Sequence, residues 1–295
     1  MRFHAILPAG LAGLLFGCVS TSPAARNAVA ATADPVRAEM LAKCRPQVRD
    51  LLAQTEAELL VPVRYRRLDD HDHVAAATYY DPEAGEARVL LRKDAEDVDL
   101  AHELQHLRLD LVDRFTVIAW RQGVEKNPGV LQQFATIRTY IDDEIVHARL
   151  VRMGFRLDGE VIRPPLFDSI YAGAGQRLAK GKPRSDDGMS HDDLLGGGAV
   201  RRTAFLVQAE LIRQNYAARL SPEHLAALER FVAAFRAHRP EESALADQVL
   251  ALFREHDVMT AAGHQAISDG WLRLAGLEQA AGSTRYRTKY VLPWP

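Results

Sequence analysis

Between residues 36 and 60 apolar side chains return at helical spacing, at Val36, Met40, Leu41, Val48, Leu51, Leu52, Leu59 and Leu60. That pattern predicts helix, interrupted near Pro46. Pro62 stops the run, and Val63 to Leu68 reads as short and extended. Val74 to Tyr80 and Arg88 to Leu91 are β-like runs on either side of Asp81-Pro82-Glu83-Ala84-Gly85, whose turn chemistry predicts a hairpin. A helix is expected from about Asp94 to Phe115, with Asp94, Glu96 and Asp97 in its first turn, where the helix dipole favours anions. Pro128-Gly129 marks a turn before a second long helix, about Val130 to Met153, with Gly154 as its C-cap. Residues 155 to 165 read as a short ribbon, and Lys180 to Gly198 as a polar, glycine-rich loop. Three or four amphipathic helices are then expected, at about 199–219, 222–238, 241–256 and 260–275, two of them introduced by Ser221-Pro222 and Arg239-Pro240. Short strands first and helices afterwards predict a helix-rich α+β protein.

The chain of 295 residues is long enough to bury a sizeable core, and its 37 basic residues nearly balance 39 acidic ones. No basic stripe suggests nucleic acid as a partner. Cys18 and Cys44 are its two cysteines, too few for a cysteine-based metal framework. A bridge between them is conceivable in an oxidising compartment, but Cys18 has another use. Arg2 followed by the short apolar stretch Ala5 to Gly17 reads as an export signal too short to span a bilayer. Leu15-Phe16-Gly17-Cys18 resembles the lipobox of bacterial lipoproteins. That resemblance implies a signal peptide over 1–17, lipidation of Cys18, and export to the periplasmic or cell-envelope face on a membrane anchor. Residues 18–35, rich in Ser, Thr, Ala and Pro, then form a tether. Cys44 is expected to be an unpaired, buried small residue.

The first long helix carries His102-Glu103-Leu104-Gln105-His106. Histidines four apart share a helix face with Cβ atoms roughly 5–6 Å apart, so both imidazoles can meet one Zn²⁺ ion. Glu103 lies near the same face and can act as general base toward a water that a metal has acidified. Asp99, His102, Glu103, His106, Asp110 and Asp113 fall in one polar sector, beside an apolar stripe of Leu100, Leu104, Leu107 and Leu111.

A catalytic zinc takes three protein ligands as a rule. The second helix offers Tyr140-Ile141-Asp142-Asp143-Glu144-Ile145-Val146-His147, with Glu144 as the preferred third ligand and Asp143 and His147 as rivals. His147 could instead lie behind a ligand or help stabilise an oxyanion, and Asp110 could orient a ligand histidine.

A hairpin, then Asp99-Leu100-Ala101-His102-Glu103-Leu104-Gln105-His106-Leu107, then a helix bearing an acidic ligand resembles the gluzincin branch of zinc metallopeptidases, over about residues 60 to 155. The resemblance implies a zincin-like core, placed at 36–160, in which a small sheet with its hairpin packs on the HExxH helix. A mostly helical region, 161–295, follows. It further implies one Zn²⁺ ion held by His102, His106 and Glu144, Glu103 as general base, and a peptide or protein substrate that pairs with the sheet edge. The family often shows Asn-Glu where this chain has Asp143-Glu144. Tyr79, Tyr80, Tyr140 and His147 are candidate oxyanion donors. Two other readings stand beside this one. A metal-stabilised envelope lipoprotein could keep the core without turnover. The paired motifs Glu103-Leu104-Gln105-His106 and Glu144-Ile145-Val146-His147 also resemble those of di-iron carboxylate bundles.

Overall fold

A computed structural model describes residues 34–69, 75–81, 84–120, 124–162, 171–173, 175, 178 and 198–285. The expected signal segment, Cys18, nearly all of the expected tether, the stretch read as a 180–198 loop apart from Gly198, and the residues from 286 on lie outside them. Among the described residues, no helix is long and apolar enough to cross a membrane. The chain divides into two compact units between Val112 and Asp113. The long helix over residues 128–152 is thereby counted with the C-terminal helices, whereas the expected core ran on to residue 160.

The N-terminal unit opens with α1 (Pro35–Lys43) and α2 (Pro46–Glu58). Asp34 caps α1, its Oδ1 accepting from the Val36 and Arg37 amides at 2.9 and 3.2 Å, and each helix has proline in its first turn, where the missing amide costs nothing. Strands β1 (Val63–Arg67), β2 (Ala76–Asp81) and β3 (Glu86–Leu91) form a sheet in the order β1-β3-β2. The predicted hairpin is β2–β3, antiparallel with Thr78 opposite Val89, while β1 runs parallel to β3. On β3 burial alternates: Ala87, Val89 and Leu91 are buried and the residues between them are half-exposed, so one face of the sheet is covered. Helix α3 (Asp97–Leu111) packs against β2, β3 and α2. Cys44 is buried and unpaired, as expected, and burial pushes its thiol up to about 11.

Helix α3 is shorter at both ends than the spacing predicts. Asp94 lies before it, its carboxylate held by Arg92 at 2.8 Å. The true start is set by Asp99, whose Oδ2 accepts from the Glu96 amide at 2.8 Å. At the other end the helix stops at Leu111 rather than Phe115: Arg114, at φ 56°, takes the left-handed conformation, and Thr116–Trp120 follows as strand β4.

Strand β4 belongs to the C-terminal unit and pairs antiparallel with β5 (Ala281–Arg285), Thr116 opposite Arg285 and Trp120 opposite Ala281. Between them run α4 (Pro128–Arg152), α5 (Ala199–Tyr216), α6 (Pro222–His238), α7 (Pro240–Glu255) and α8 (Ala261–Leu274). These match the predicted helices to within a few residues, with Ala217–Arg219 as a 3₁₀ turn ending the first of the C-terminal four. Helix α5 packs on α4, α6 and α7, and α8 on α4, α7, β4 and β5. Ile137, Ile141 and Ile145 of α4 are fully buried, as are Phe231 and Phe235 of α6 and Ile267 and Trp271 of α8. Burial of each such side chain contributes about 1.5–3 kcal/mol. Gly263 permits a close approach at the start of α8, where a Cβ would stand 2.0 Å from the Asp257 carbonyl oxygen. The 155–162 ribbon is fastened to α6 by Asp158, which accepts from the Ser221 amide at 2.7 Å and meets His224 Nδ1 at 2.5 Å.

Candidate functional site

The candidate site side chains of the N-terminal unit sit on a helix braced at both ends. Arg45 grips Asp97 at 2.7 Å near the start of α3, and Arg108 in its last turn reaches Glu58 of α2 at 2.6 Å. Leu100, Ala101, Leu104, Gln105, Leu107 and Leu109 are buried, whereas His102, Glu103, His106 and Asp110 are half-buried. The apolar face thus includes Leu109 rather than the expected Leu111, which is half-exposed. One helical turn apart, His102 Nε2 and His106 Nε2 lie 3.0 Å from one another, with ring planes at 64°. In a tetrahedral site with bonds of about 2.0–2.1 Å, two nitrogens are separated by about 3.3 Å. The pair therefore presents two donors at nearly the separation that one Zn²⁺ ion requires, and imidazole nitrogen is a donor that zinc favours.

Glu103, between the histidines in sequence, meets the sheet. Thr78 Oγ1 of β2 lies 3.0 Å from Glu103 Oε2 and 3.2 Å from the Glu103 carbonyl oxygen. Alternation along the strand turns Tyr79 to the opposite face, where Arg88 donates to its hydroxyl at 3.0 Å. Tyr79 is accordingly not on the face that meets Glu103. Asp99, expected in the polar sector of the site, serves instead as the N-terminal cap partner of Glu96.

In the C-terminal unit, Tyr140, Asp143, Glu144 and His147 of α4 line one crevice together with Val207, Gln208 and Leu211 of α5. Spacings of three and four residues bring the α4 group onto one face. Glu144 is buried, and its Oε1 accepts from Asn215 Nδ2 of α5 at 2.7 Å. Burial raises its pKa, the Asn215 hydrogen bond opposes that rise, and the neighbouring Asp143 charge adds to it. Burial, with the Asp143 charge, also pushes the Tyr140 phenol upward, so it stays protonated and able to donate. Tyr171 is fully buried and donates to Gln208 Oε1 at 2.9 Å. Behind this face Asp142 points into the core, where its Oδ1 meets His264 Nε2 at 2.8 Å and its Oδ2 meets Arg138 at 3.2 Å. His264 Nδ1 meets Thr116 Oγ1 at 2.9 Å.

Within each unit, then, predicted site residues come together: His102, Glu103 and His106 on α3, and Tyr140, Asp143, Glu144 and His147 on α4. Thr78, Gln208, Asn215 and His264 were not anticipated. None of them belongs to a motif with a recognisable spacing. Compared with protein-family models, with characterised proteins and with solved structures, the chain matches none.

Proposed function

We propose that the protein is a zinc-dependent peptidase of the bacterial cell envelope, with a gluzincin-like core, exported and lipid-anchored through Cys18. The observation that carries this reading is the convergence of His102 Nε2 and His106 Nε2 to 3.0 Å on a helix whose intervening Glu103 is held by the sheet. His102 and His106 would hold the metal with a carboxylate of α4, Glu144 first and Asp143 as its rival. When bound, zinc supplies Lewis-acid chemistry, acidifying water and polarising a carbonyl. Glu103 takes a proton from the water as its oxygen adds to the peptide carbonyl carbon. The same carboxyl returns that proton to the amine nitrogen as the C–N bond breaks. Tyr140 and His147 are the donors proposed for the developing oxyanion. Strand β2 is an edge of the sheet, so its outer side is where an extended peptide would add.

Hydrolysis of a mixed library of fluorescence-quenched peptides by the purified soluble domain tests the reading. Cleavage is expected, with loss on exhaustive chelation and return on adding zinc. Cleavage that survives chelation would overturn it.

The ligand choice on α4 has its own test. Replacing Glu144 with Gln is expected to weaken zinc binding at least about a hundredfold, and Asp143→Asn by much less. The metal-free protein should respond in the opposite sense. A carboxyl whose pKa is raised by burial stabilises the fold below the pKa of the unfolded chain. That contribution is lost as pH rises through the folded value. Denaturant titrations should show metal-free wild type losing stability relative to Glu144→Gln from about pH 4.5 upward. An equal loss of metal in both carboxylate variants, or parallel stability curves, would count against Glu144.

A further inference from the structure

The zincin resemblance assigns a role to Glu103 but says nothing of what orients it. The contact to β2 supplies that. Thr78 stands in the middle of β2, opposite Val89 of β3. Its neighbours on the same face, Ala76 and Tyr80, are both buried. Thr78 is half-buried, and its hydroxyl lies within hydrogen-bond distance of both the carboxylate and the backbone oxygen of Glu103. A hydroxyl has one proton to donate. The carboxylate oxygen, nearer at 3.0 Å and charged, is the stronger acceptor. Threonine is stiff at χ1 because its Cβ is branched, so a hydroxyl fixed on a paired strand is a fixed donor. A glutamate on a helix has three side-chain torsions, and a base that must receive a proton from one water needs one of their combinations held.

We infer that Thr78 is the positioning residue of Glu103: its hydroxyl binds Oε2, sets the carboxylate plane against β2, and so directs proton transfer through Oε1. This rests on the peptidase reading above. It also ties the base to the strand proposed to receive the peptide, so that one element sets the position of both.

Three variants of the full exported protein test it: Thr78→Val, which keeps the shape and removes the hydroxyl, Thr78→Ser, which keeps the hydroxyl, and Glu103→Gln as reference. Thr78→Val is expected to lower kcat about ten- to a hundredfold with KM and zinc content unchanged, and Thr78→Ser to restore most of the loss. A second readout needs neither metal nor turnover. In metal-free protein labelled with ¹³C at the glutamate carboxyl, the resonance missing from Glu103→Gln should move in Thr78→Val and stay in place in Thr78→Ser. An unchanged kcat in Thr78→Val, or equal losses in the Val and Ser variants, would overturn the proposal. If the resonance responds as expected but wild type cleaves no peptide, the peptidase reading fails and Thr78 is reduced to a strand–helix fastening. If wild type cleaves and the resonance does not respond, the positioning role alone fails.

Discussion

Glu103→Gln is expected to lower peptide hydrolysis about a thousandfold while zinc stays bound. The amide is nearly the same size as the carboxylate and can still meet Thr78, so packing of α3 on β2 is preserved. What it loses is the capacity to take a proton, and general-base assistance contributes about 10²–10⁴ to a rate. The helix backbone sets both histidines one turn apart. Their ring nitrogens should therefore keep their 3.0 Å approach. Parallel measurement of metal content and of kcat and KM checks this. Full activity in the variant would assign the base elsewhere. An inactive wild type that holds zinc would favour a metal-stabilised binding lipoprotein over an enzyme.

The second large effect falls on stability. His264→Ala should destabilise the C-terminal unit by about 3–5 kcal/mol. His264 is 1% exposed and Asp142 is 3% exposed, so neither has water as a substitute partner. A ring protonated on Nε2 donates to Asp142 and accepts from the Thr116 hydroxyl, which satisfies both nitrogens at once. Removing the ring takes away the hydrogen bond to Asp142 Oδ1, leaving Arg138 on the other oxygen, and opens a void where Phe115 met the ring edge-on. For a unit of this size each kcal/mol shifts Tm by about 2–4 °C, so a fall of about 10 °C is expected in a thermal melt. The double variant His264→Ala/Asp142→Ala should lose less than the two single losses added together, because the two side chains touch and each single variant already removes their shared contact. A single-variant Tm within a degree or two of wild type would show that the pair is not holding β4, α4 and α8 together.

The fold was readable wherever periodicity and caps agreed. Ser221-Pro222 and Arg239-Pro240 mark α6 and α7 within a residue because proline in the first turn leaves few alternatives. The β2–β3 hairpin was readable from its turn, since its strands are neighbours in sequence. Strands β4 and β5 were not: Ala-Gly-Ser-Thr-Arg has no strand pattern of its own and pairs with a segment some 160 residues earlier. Registers at that range are set by packing, here against α8, not by local propensity. The end of α3 was overrun by four residues, to Phe115, because the turn at Arg114 that leads into β4 carries no local stop signal. At the site, His102, Glu103 and His106 were legible because helical spacing is a rigid ruler. Thr78 and Asn215 were not, because each reaches its carboxylate from another element, and one polar residue in a strand or helix has no period to detect.

Elemental analysis of freshly purified protein, wild type beside His102→Ala and His106→Ala, tests the central claim most directly. About one zinc per chain in wild type and almost none in either variant is the predicted result. Wild type without zinc, even after metal is supplied, or variants that retain it in full, would contradict the assignment of this helix as a metal-binding element.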